Sequence, residues 1–236
     1  MSRVALDVTS GADVAPIHLV HGVNGTIVGY RALATLLGQH RPCYGLEARG
    51  VDGRDQPLDC VAALAAAYID EICAAGAPCR WLVAGWSFGG LVAYEMALQL
   101  ERAGVRACAA VIDTRALLVP RRHAAVAPGE LDPDLAREAV GPGDVVSVER
   151  RKATRIAHEQ ARLRYRPGRL RAPLVVFRAD HGDSASTDPT LGFGAVAAGR
   201  IHAVAVPGDH ITMLSPPHVG MLARELSAWF HAFEQA

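Results

Sequence analysis

The strongest constraint on the fold is the run at 82–90, which reads Leu-Val-Ala-Gly-Trp-Ser-Phe-Gly-Gly and contains the pattern Gly-x-Ser-x-Gly. An apolar, strand-like segment leads into the pattern and a helix-compatible segment follows it, which is the setting of a nucleophile elbow. Such a strained turn leaves no space for side chains two positions before and two positions after the serine, where Gly85 and Gly89 stand. The pattern therefore predicts that Ser87 is a nucleophile, whereas the alternative is a serine in an ordinary tight turn.

Short apolar segments alternate with helix-compatible segments along most of the chain. We expect strands at 3–8, 17–21, 42–46, 81–84, 107–112, 173–178 and 201–206. We expect helices at 30–37, 58–75, 88–103, 147–165 and 216–233, with a shorter helical stretch at 188–196. This alternation predicts a mostly parallel central sheet with helices on both faces, and together with the elbow it predicts the α/β-hydrolase fold.

The alternation stops between the strand that ends at Ile112 and the strand that begins at Pro173. Prolines at 120, 128, 133 and 142 interrupt this segment, and only 147–165 keeps a helical pattern. A connection this long without strands is more often a functional lid than a simple crossover. Because half of the 236 residues are apolar, the chain is large enough to bury one core. We therefore predict a single domain over 1–236, with a short helical lid insertion at about 116–170.

Composition and charge exclude several classes of protein. Lysine plus arginine and aspartate plus glutamate each number 24, so the zero net charge gives no basis for general nucleic-acid binding. The five cysteines contain no Cys-x-x-Cys pair and stand mostly in apolar stretches, which is typical of reduced core cysteines in a cytosolic protein. No apolar run is as long as a membrane span, and no signal-like segment begins the sequence. We therefore expect a soluble, cytoplasmic protein.

Basic residues are concentrated between 150 and 171, although the chain as a whole is neutral. This basic stretch contains Arg150, Arg151, Lys152, Arg155, Arg162, Arg164, Arg166, Arg169 and Arg171. Such a run is either a solvated helix face or a docking patch for an acidic partner, and the sequence leaves both interpretations open.

A serine hydroxyl is a weak nucleophile at neutral pH, so a histidine must take its proton and later return it to the leaving group. His210 is the best candidate, because it follows a late strand and precedes the last helix, in the order Ser, acid, His that α/β hydrolases use. His21 stands where it would line the oxyanion loop. His181 and His218 are interpreted as loop residues.

The carboxylate that orients this histidine is less sharply indicated. Asp113 follows the strand after the elbow helix, whereas Asp180 and Asp183 follow the next strand. Hydrolases use either place, and an aspartate in a loop commonly caps a turn or a helix instead. Spacing alone therefore leaves all three open.

Stabilisation of a tetrahedral oxyanion takes two N–H donors. With this elbow, one donor is the amide after the nucleophile, here Phe88, and the other lies in the loop after the first core strand, here Val23 or a neighbour. Gly22 and Gly25 suit a loop whose backbone approaches the substrate closely. No metal site is predicted, because the histidine pairs lack a third ligand nearby.

Four segments of the chain match the motifs of one known protein family. The run at 85–90 resembles that family's Gly-Trp/Tyr-Ser-Phe/Ala-Gly-Gly, and 111–114 resembles its Leu-Leu-Asp-Ser/Thr. The run at 188–193 is similar to Asp-Pro-x-Leu-Gly-Trp. The most specific match is 206–214, Val-Pro-Gly-Asp-His-Ile-Thr-Met-Leu, which is close to Val-Pro-Gly-Asp-His-Tyr-Thr-Met-Leu. Over nearly its whole length, the chain thus resembles the type I thioesterase domains that end nonribosomal peptide and polyketide synthetases.

The resemblance implies a triad of Ser87, Asp113 and His210, with Asp113 preferred to Asp180. It implies that an acyl or peptidyl chain arrives as a thioester on the phosphopantetheine arm of a carrier-protein domain and is transferred to Ser87. Hydrolysis, or macrocyclisation by a nucleophile of the chain itself, then releases the product. No metal and no further bound cofactor are expected, because positioning and oxyanion stabilisation suffice for a thioester. Neither nucleic acid nor a membrane is an expected partner.

Three alternatives stand beside this hypothesis. A stand-alone editing thioesterase, of the type II class, removes wrong acyl groups from carrier domains and often places its acid where Asp180 stands. A general carboxylesterase would prefer oxygen esters to thioesters of the same acyl group. A non-catalytic docking module would keep the fold and use the basic stretch to hold an acidic carrier domain.

Overall fold

The structure, a computed structural model, describes residues 3–7, 14–52, 55–116, 145–181 and 187–236. Within these residues seven strands form one sheet: β1 (Arg3–Asp7), β2 (Ile17–Val20), β3 (Cys43–Leu46), β4 (Trp81–Trp86), β5 (Ala107–Ile112), β6 (Leu174–Ala179) and β7 (Ile201–Val206). Their spatial order is β1-β3-β2-β4-β5-β6-β7. All neighbouring pairs are parallel except β1 with β3, which is antiparallel. The mostly parallel sheet expected from the sequence is confirmed.

The described α-helices are α1 (Arg31–Gly38), α2 (Val61–Ala74), α3 (Phe88–Arg102), α4 (Val145–Arg164) and α5 (Val219–Gln235). One apolar core lies between the sheet and α2 with α3, and a second lies between the sheet and α1 with α5. In β4, Val83 faces the first core while Leu82 and Ala84 face the second, so the strand is apolar throughout. Helices on both faces are confirmed. None of these described helices has the length and apolar character that a membrane span requires.

The stretch at 188–196, expected to be helical, contains only a one-turn 3-10 helix at Phe193–Ala195. Before it, the carboxylate of Asp188 accepts a hydrogen bond from the amide of Gly192 at 2.7 Å, which closes a tight turn. Leu191 and Gly192 have φ angles of 50° and 89°, and residues in this left-handed region interrupt an α-helix. The expected helical stretch is therefore limited to this one turn, because the Asp188 carboxylate offers the preceding backbone an alternative set of hydrogen bonds.

The connection from β5 to β6 is described only in part. Residues 117–144, about half of the predicted lid at about 116–170, lie outside the described residues, so the lid and the single-domain boundaries stay predictions. The described part contains α4, where the sequence predicts a helix. Just after α4, the hydroxyl of Tyr165 donates a hydrogen bond to the buried Glu95 carboxylate of α3 at 2.7 Å. This bond holds the C-terminal end of α4 against the core.

The five cysteines are free thiols, but only Cys43 and Cys108 are buried. Cys60, Cys73 and Cys79 are exposed, so the interpretation of these three as core residues was wrong. They stand around α2, whose alanine-rich sequence gives little indication of which face meets water.

The carboxyl ends of the parallel strands bring the candidate site residues to one rim of the sheet. Ser87 follows β4, Asp113 follows β5, His210 follows β7, and Val23 lies in the loop after β2. Ligand sites of open parallel sheets form at this rim, beyond the carboxyl ends of the strands. The topology therefore gathers residues that are distant in sequence.

Candidate active site

Ser87 forms the turn between β4 and α3, with φ 56° and ψ −122°. This conformation is strained for a residue with a Cβ, and it persists only where surrounding interactions fix it. The amide of Ser87 donates to the carbonyl of Ile112 at 2.9 Å, and its carbonyl accepts from the hydroxyl of Thr114 at 2.8 Å. Both ends of the strained residue are thereby held.

The elbow glycines are required by close backbone approach. A Cβ on Gly85 would overlap the carbonyl of Gly89, one turn further along the chain. A Cβ on Gly89 would overlap the carbonyls of Val20 and His21, where β2 ends. The absence of side chains thus lets α3 begin directly against the end of β2.

Asp113 and His210 meet beneath the rim of the sheet. Nδ1 of His210 donates to Oδ2 of Asp113 at 2.6 Å, and the Asp113 side chain is fully buried. Oδ1 of Asp113 accepts from the amide of Ala179 at 3.0 Å, so both carboxylate oxygens are engaged. With Nδ1 used in this way, Nε2 is the ring nitrogen of His210 that remains to exchange a proton.

The alternative acids do not reach His210. Asp180 lies at the surface, where it pairs with Nδ1 of the exposed His181 at 2.6 Å. Asp183 lies outside the described residues. His218 stands at the start of α5. Of the residues that the sequence left open, the structure therefore brings together Asp113 and His210.

Trp86 supports His210 from the side, a role that the sequence analysis missed. The two rings stack with centroids 4.7 Å apart, and Nε1 of Trp86 donates to the carbonyl of His210 at 2.9 Å. The amide of Trp86 in turn donates to the hydroxyl of Tyr30 at 2.6 Å, and that hydroxyl donates to the carbonyl of Val20 at 2.7 Å. The sequence feature that could have indicated this role is the aromatic residue directly before the serine of Gly-x-Ser-x-Gly.

The loop after β2, residues 22–25, lies against the elbow. The amide of Gly25 donates to the carbonyl of Gly22 at 3.0 Å, which closes the loop as a turn. A Cβ on Gly22 would meet the Trp86 ring at 2.9 Å, so the loop approaches the elbow as closely as a glycine allows. Phe88 is the first residue of α3, and the amide of a first helical residue has no acceptor in its own helix.

His21 is a buried, neutral support of this loop. Its Nδ1 donates to the carbonyl of Gly22 at 2.6 Å, and its Nε2 accepts from the hydroxyl of Tyr68 at 2.5 Å. Burial, followed by the neighbouring His158, lowers the pKa of His21 to about 3. A ring held by both nitrogens and kept neutral is not available as the base for Ser87.

Ser87 and His210 line the same cleft, which has a volume of about 170 Å³. The loop after β2 forms one wall through Val23 and Asn24, and α4 contributes Arg155 and Glu159. One cleft with both polar and apolar walls therefore contains a serine and a histidine. Among the described residues, no three His, Cys, Asp or Glu side chains gather as a metal site would require.

The basic stretch at 150–171 is partly engaged within the molecule. Arg162 pairs with Glu159 at 2.6 Å, and Arg164 pairs with Asp59 of the loop before α2 at 2.7 Å. Arg155 donates to the side chain of Asn24 at 3.1 Å. The Arg162 pair lies within α4, whereas the contacts of Arg164 and Arg155 attach α4 to other segments. The docking interpretation stays a prediction for the remaining exposed cations.

A family model described as "Thioesterase domain" matches residues 15–230. Among curated proteins, a dimodular nonribosomal peptide synthase of Bacillus subtilis (strain 168) is 38% identical over 108 residues, which make up 44% of this chain and 4% of that protein. The polyketide synthase PksR of the same organism is 33% identical over 90 residues, or 38% of this chain and 4% of that protein. The chain thus spans a small fraction of the length of these relatives.

Solved thioesterase domains have the same fold. The NocB thioesterase domain, solved as a covalent complex with a fluorophosphonate nocardicin G analog, matches with a TM-score of 0.77 at 21% identity, over 93% of this chain and 96% of that chain. The Vlm2 thioesterase domain bound with a dodecadepsipeptide matches with a TM-score of 0.73 at 24% identity, over 96% of both chains. The α/β-hydrolase fold is thereby confirmed.

Proposed function

This chain belongs to the thioesterase domain family of nonribosomal peptide and polyketide synthetases, and from that premise we propose that it releases an acyl or peptidyl chain from a carrier-protein domain. The substrate is a thioester on the phosphopantetheine arm of the carrier. Release proceeds through an acyl-enzyme on Ser87, and the second step is hydrolysis or macrocyclisation. The relatives' membership of multidomain synthetases supports a carrier domain as the partner.

The observation that carries this proposal is the 2.6 Å hydrogen bond between His210 and the buried Asp113, at the edge of a cleft that also contains Ser87. A buried carboxylate on Nδ1 fixes the ring orientation and tautomer and stabilises the imidazolium that forms during proton transfer. Nε2 is then the basic nitrogen for the Ser87 hydroxyl. The arrangement supports the roles of nucleophile, base and orienting acid for Ser87, His210 and Asp113 in that order.

Acylation follows from these roles. Oγ of Ser87 bonds to the thioester carbonyl carbon while its proton passes to Nε2 of His210. The negative charge that develops on the carbonyl oxygen is stabilised by the amides of Phe88 and Val23, which are donors of fixed orientation. When the tetrahedral intermediate collapses, the C–S bond breaks and the phosphopantetheine thiol leaves with the proton from His210. Ser87 then carries the acyl chain.

Deacylation repeats the steps of acylation with a different nucleophile. His210 takes a proton from water, or from a hydroxyl or amine of the acyl chain, and that nucleophile bonds to the ester carbonyl carbon. The same two amides stabilise the oxyanion. The C–O bond to Ser87 then breaks, and the serine oxygen regains the proton from His210. Water and the internal nucleophile compete for this step, and the more a site excludes water, the more macrocyclisation is favoured over hydrolysis.

The editing alternative, in which Asp180 supplies the acid, gains no support from the geometry. Asp180 is engaged with His181 at the surface, whereas Asp113 contacts His210 directly. The docking-module alternative is less favoured as well, because a strained serine, a histidine and a buried carboxylate have no evident use in a module that only binds.

Intact mass spectrometry after exposure to N-acetylcysteamine thioesters of amino acids and short fatty acids tests the proposal. We expect the wild type to gain the mass of one acyl group or to release the free acid, and Ser87→Ala to do neither. Ser227→Ala, which replaces a serine on α5, is the matched control and should behave as the wild type. If neither these thioesters nor an acyl chain on a phosphopantetheinylated carrier domain gave adduct or product, the proposal would be overturned. Carrier binding without turnover would then favour the docking module.

A further inference from the structure

One face of α4 contacts the loop at 22–25 at successive positions. Nδ1 of His158 donates to the carbonyl of Val23 at 2.8 Å. Arg155 donates to the side chain of the next residue, Asn24, at 3.1 Å. The methyl group of Thr154 packs so closely on the following Gly25 that a Cβ there would meet it at 2.8 Å. The loop is therefore held along its length by a helix that is about 130 residues away in sequence.

The ring of His158 also contacts the other candidate oxyanion residue. It stacks on Phe88 with centroids 4.7 Å apart and an interplanar angle of 16°. It stacks on His21 with centroids 4.8 Å apart and the same angle. A single side chain of α4 thus touches Phe88 by its face and the Val23 backbone by its edge.

The chemistry of this ring is poorly explained by packing alone. Nε2 of His158 is buried and has no hydrogen-bond partner among the described residues. A buried polar atom without a partner costs stability, so a phenyl ring would fill the same space at lower cost. The feature that a phenyl ring would lose is the N–H that Nδ1 donates to Val23. Burial lowers the pKa of His158 to about 4, so this neutral donor persists at physiological pH.

We infer that His158 is a positioning residue that holds the Val23 donor of the oxyanion hole in place, so that α4 sets the geometry of that hole. The inference rests on the proposed function, because it takes Val23 and Phe88 as the oxyanion donors. Holding the Val23 carbonyl restricts rotation of the backbone at this residue, which lines the same cleft as Ser87. Stacking on Phe88 fixes the distance between α4 and the elbow. The residues that carry both proposed donors therefore contact the same imidazole ring.

Labelling of Ser87 by a simple alkyl fluorophosphonate tests this inference without a thioester. Oγ of Ser87 bonds to phosphorus, fluoride leaves, and His210 accepts the serine proton, while negative charge grows on the phosphonyl oxygen in the oxyanion hole. The variant His158→Phe keeps an aromatic ring and removes the donor, whereas His158→Asn restores an N–H at the place of Nδ1. His231→Phe makes the same change on the exposed side of α5 and is the matched control.

We expect His158→Phe to slow labelling about 10- to 100-fold, since a misplaced donor costs somewhat less than the loss of one. Labelling of His158→Asn should return to within about threefold of the wild type, and His231→Phe should equal it. With an N-acetylcysteamine thioester, kcat should fall in His158→Phe while KM stays within about twofold. Because the ring volume is kept, the thermal midpoint should stay within about 4 °C of the wild type.

The outcomes separate this inference from the proposed function. Wild-type labelling rates in His158→Phe, or equal slowing in His158→Phe and His158→Asn, would overturn the positioning role while leaving the proposed function intact. If the wild type were labelled but turned over no thioester, the proposed function would fail, and the labelling rates would still decide the role of His158. A wild type that is not labelled at all would overturn both.

Discussion

Asp113 and His210 are 97 positions apart in the chain, and their side chains share a 2.6 Å hydrogen bond at the end of the parallel sheet. The carboxylate lies beneath the ring without solvent exposure, while 39% of the His210 side chain is exposed. The histidine is therefore fixed from the protein side and open toward the cleft. This asymmetry lets one nitrogen be oriented while the other exchanges protons.

Replacement of the two candidate acids separately distinguishes their roles. Asp113→Asn removes the negative charge beneath His210 and permits the wrong tautomer, so we expect kcat for an N-acetylcysteamine thioester to fall by about 10³- to 10⁴-fold. Asp180→Asn alters only the surface pair with His181, and its rate should stay within about twofold. A normal rate in Asp113→Asn would remove Asp113 from the triad.

Trp86 offers a test of how His210 is supported. Trp86→Phe keeps an aromatic ring against the imidazole but deletes the N–H that bonds the His210 carbonyl. We expect kcat to fall about 10-fold with KM little changed, because the loop that carries the base loses one anchor. Trp229→Phe, on α5, is the matched control. Equal rates in both variants would indicate that the stack alone holds His210.

The elbow glycines predict a contrast in stability. Gly89→Ala would drive a Cβ into the carbonyls of Val20 and His21, so we expect the free energy of unfolding to fall by about 1–3 kcal/mol. Gly220→Ala, on α5, meets no atom within 4 Å and should stabilise the protein by about 0.5–1 kcal/mol. Urea unfolding followed by circular dichroism measures both changes. Equal effects would contradict the close approach at Gly89.

The stacked histidines predict a loss of stability in acid. Burial lowers the pKa of His158 from 6.5 to about 4, so the unfolded chain binds a proton at pH values where the folded protein does not. The stability is therefore complete above pH 6.5 and declines as the pH falls toward 4, by up to about 3 kcal/mol from this residue.

Urea unfolding at several pH values between 4.5 and 7 checks this decline. Its slope should be shallower in His158→Phe than in the wild type, because the titrating ring is absent. His231→Phe should retain the wild-type slope. An unchanged slope in His158→Phe would assign the acid sensitivity to other groups, such as His21, whose pKa is lowered to about 3.

Carrier docking through the basic stretch predicts a substrate-dependent effect. Arg166→Glu with Arg169→Glu reverses two exposed charges just beyond α4. We expect KM for an acyl chain on an acidic carrier domain to rise about 10-fold at low salt, and the effect to shrink as salt is added. Turnover of the N-acetylcysteamine thioester should not change. Arg224→Glu on α5 is the control, and an equal effect there would exclude a local docking patch.

Local sequence patterns were sufficient to predict the features that depend on residues close together in the chain. The elbow was predictable because its strain imposes Gly85 and Gly89 around Ser87. The alternation of strands and helices was predictable because strands buried on both faces are apolar throughout. Local patterns did not decide between Asp113 and Asp180, and only the family resemblance preferred Asp113. The two residues follow adjacent parallel strands, and the packing of the last loop decides which one His210 reaches.

Contacts between distant segments account for what the sequence did not reveal. In the sequence, His158 is one polar residue of a basic helix, and nothing nearby indicates its bond to Val23, which is 135 positions away. Cys73 lies on a helix with apolar residues on all sides, so exposure could not be inferred from period alone. In both cases the outcome depends on how the helix packs against other segments of the fold, which the local sequence does not show.

The hydroxyl of Tyr30 joins the ends of β2 and β4 by accepting from the amide of Trp86 and donating to the carbonyl of Val20. Tyr30 also lines the cleft, so one side chain both connects two strands and forms part of the candidate site. Loss of its oxygen would remove both of these bonds to backbone groups. Under the proposed function, substitutions meant to change acyl selectivity are therefore better directed at Glu159 and Leu214, which also line the cleft and whose side chains do not bridge two strands.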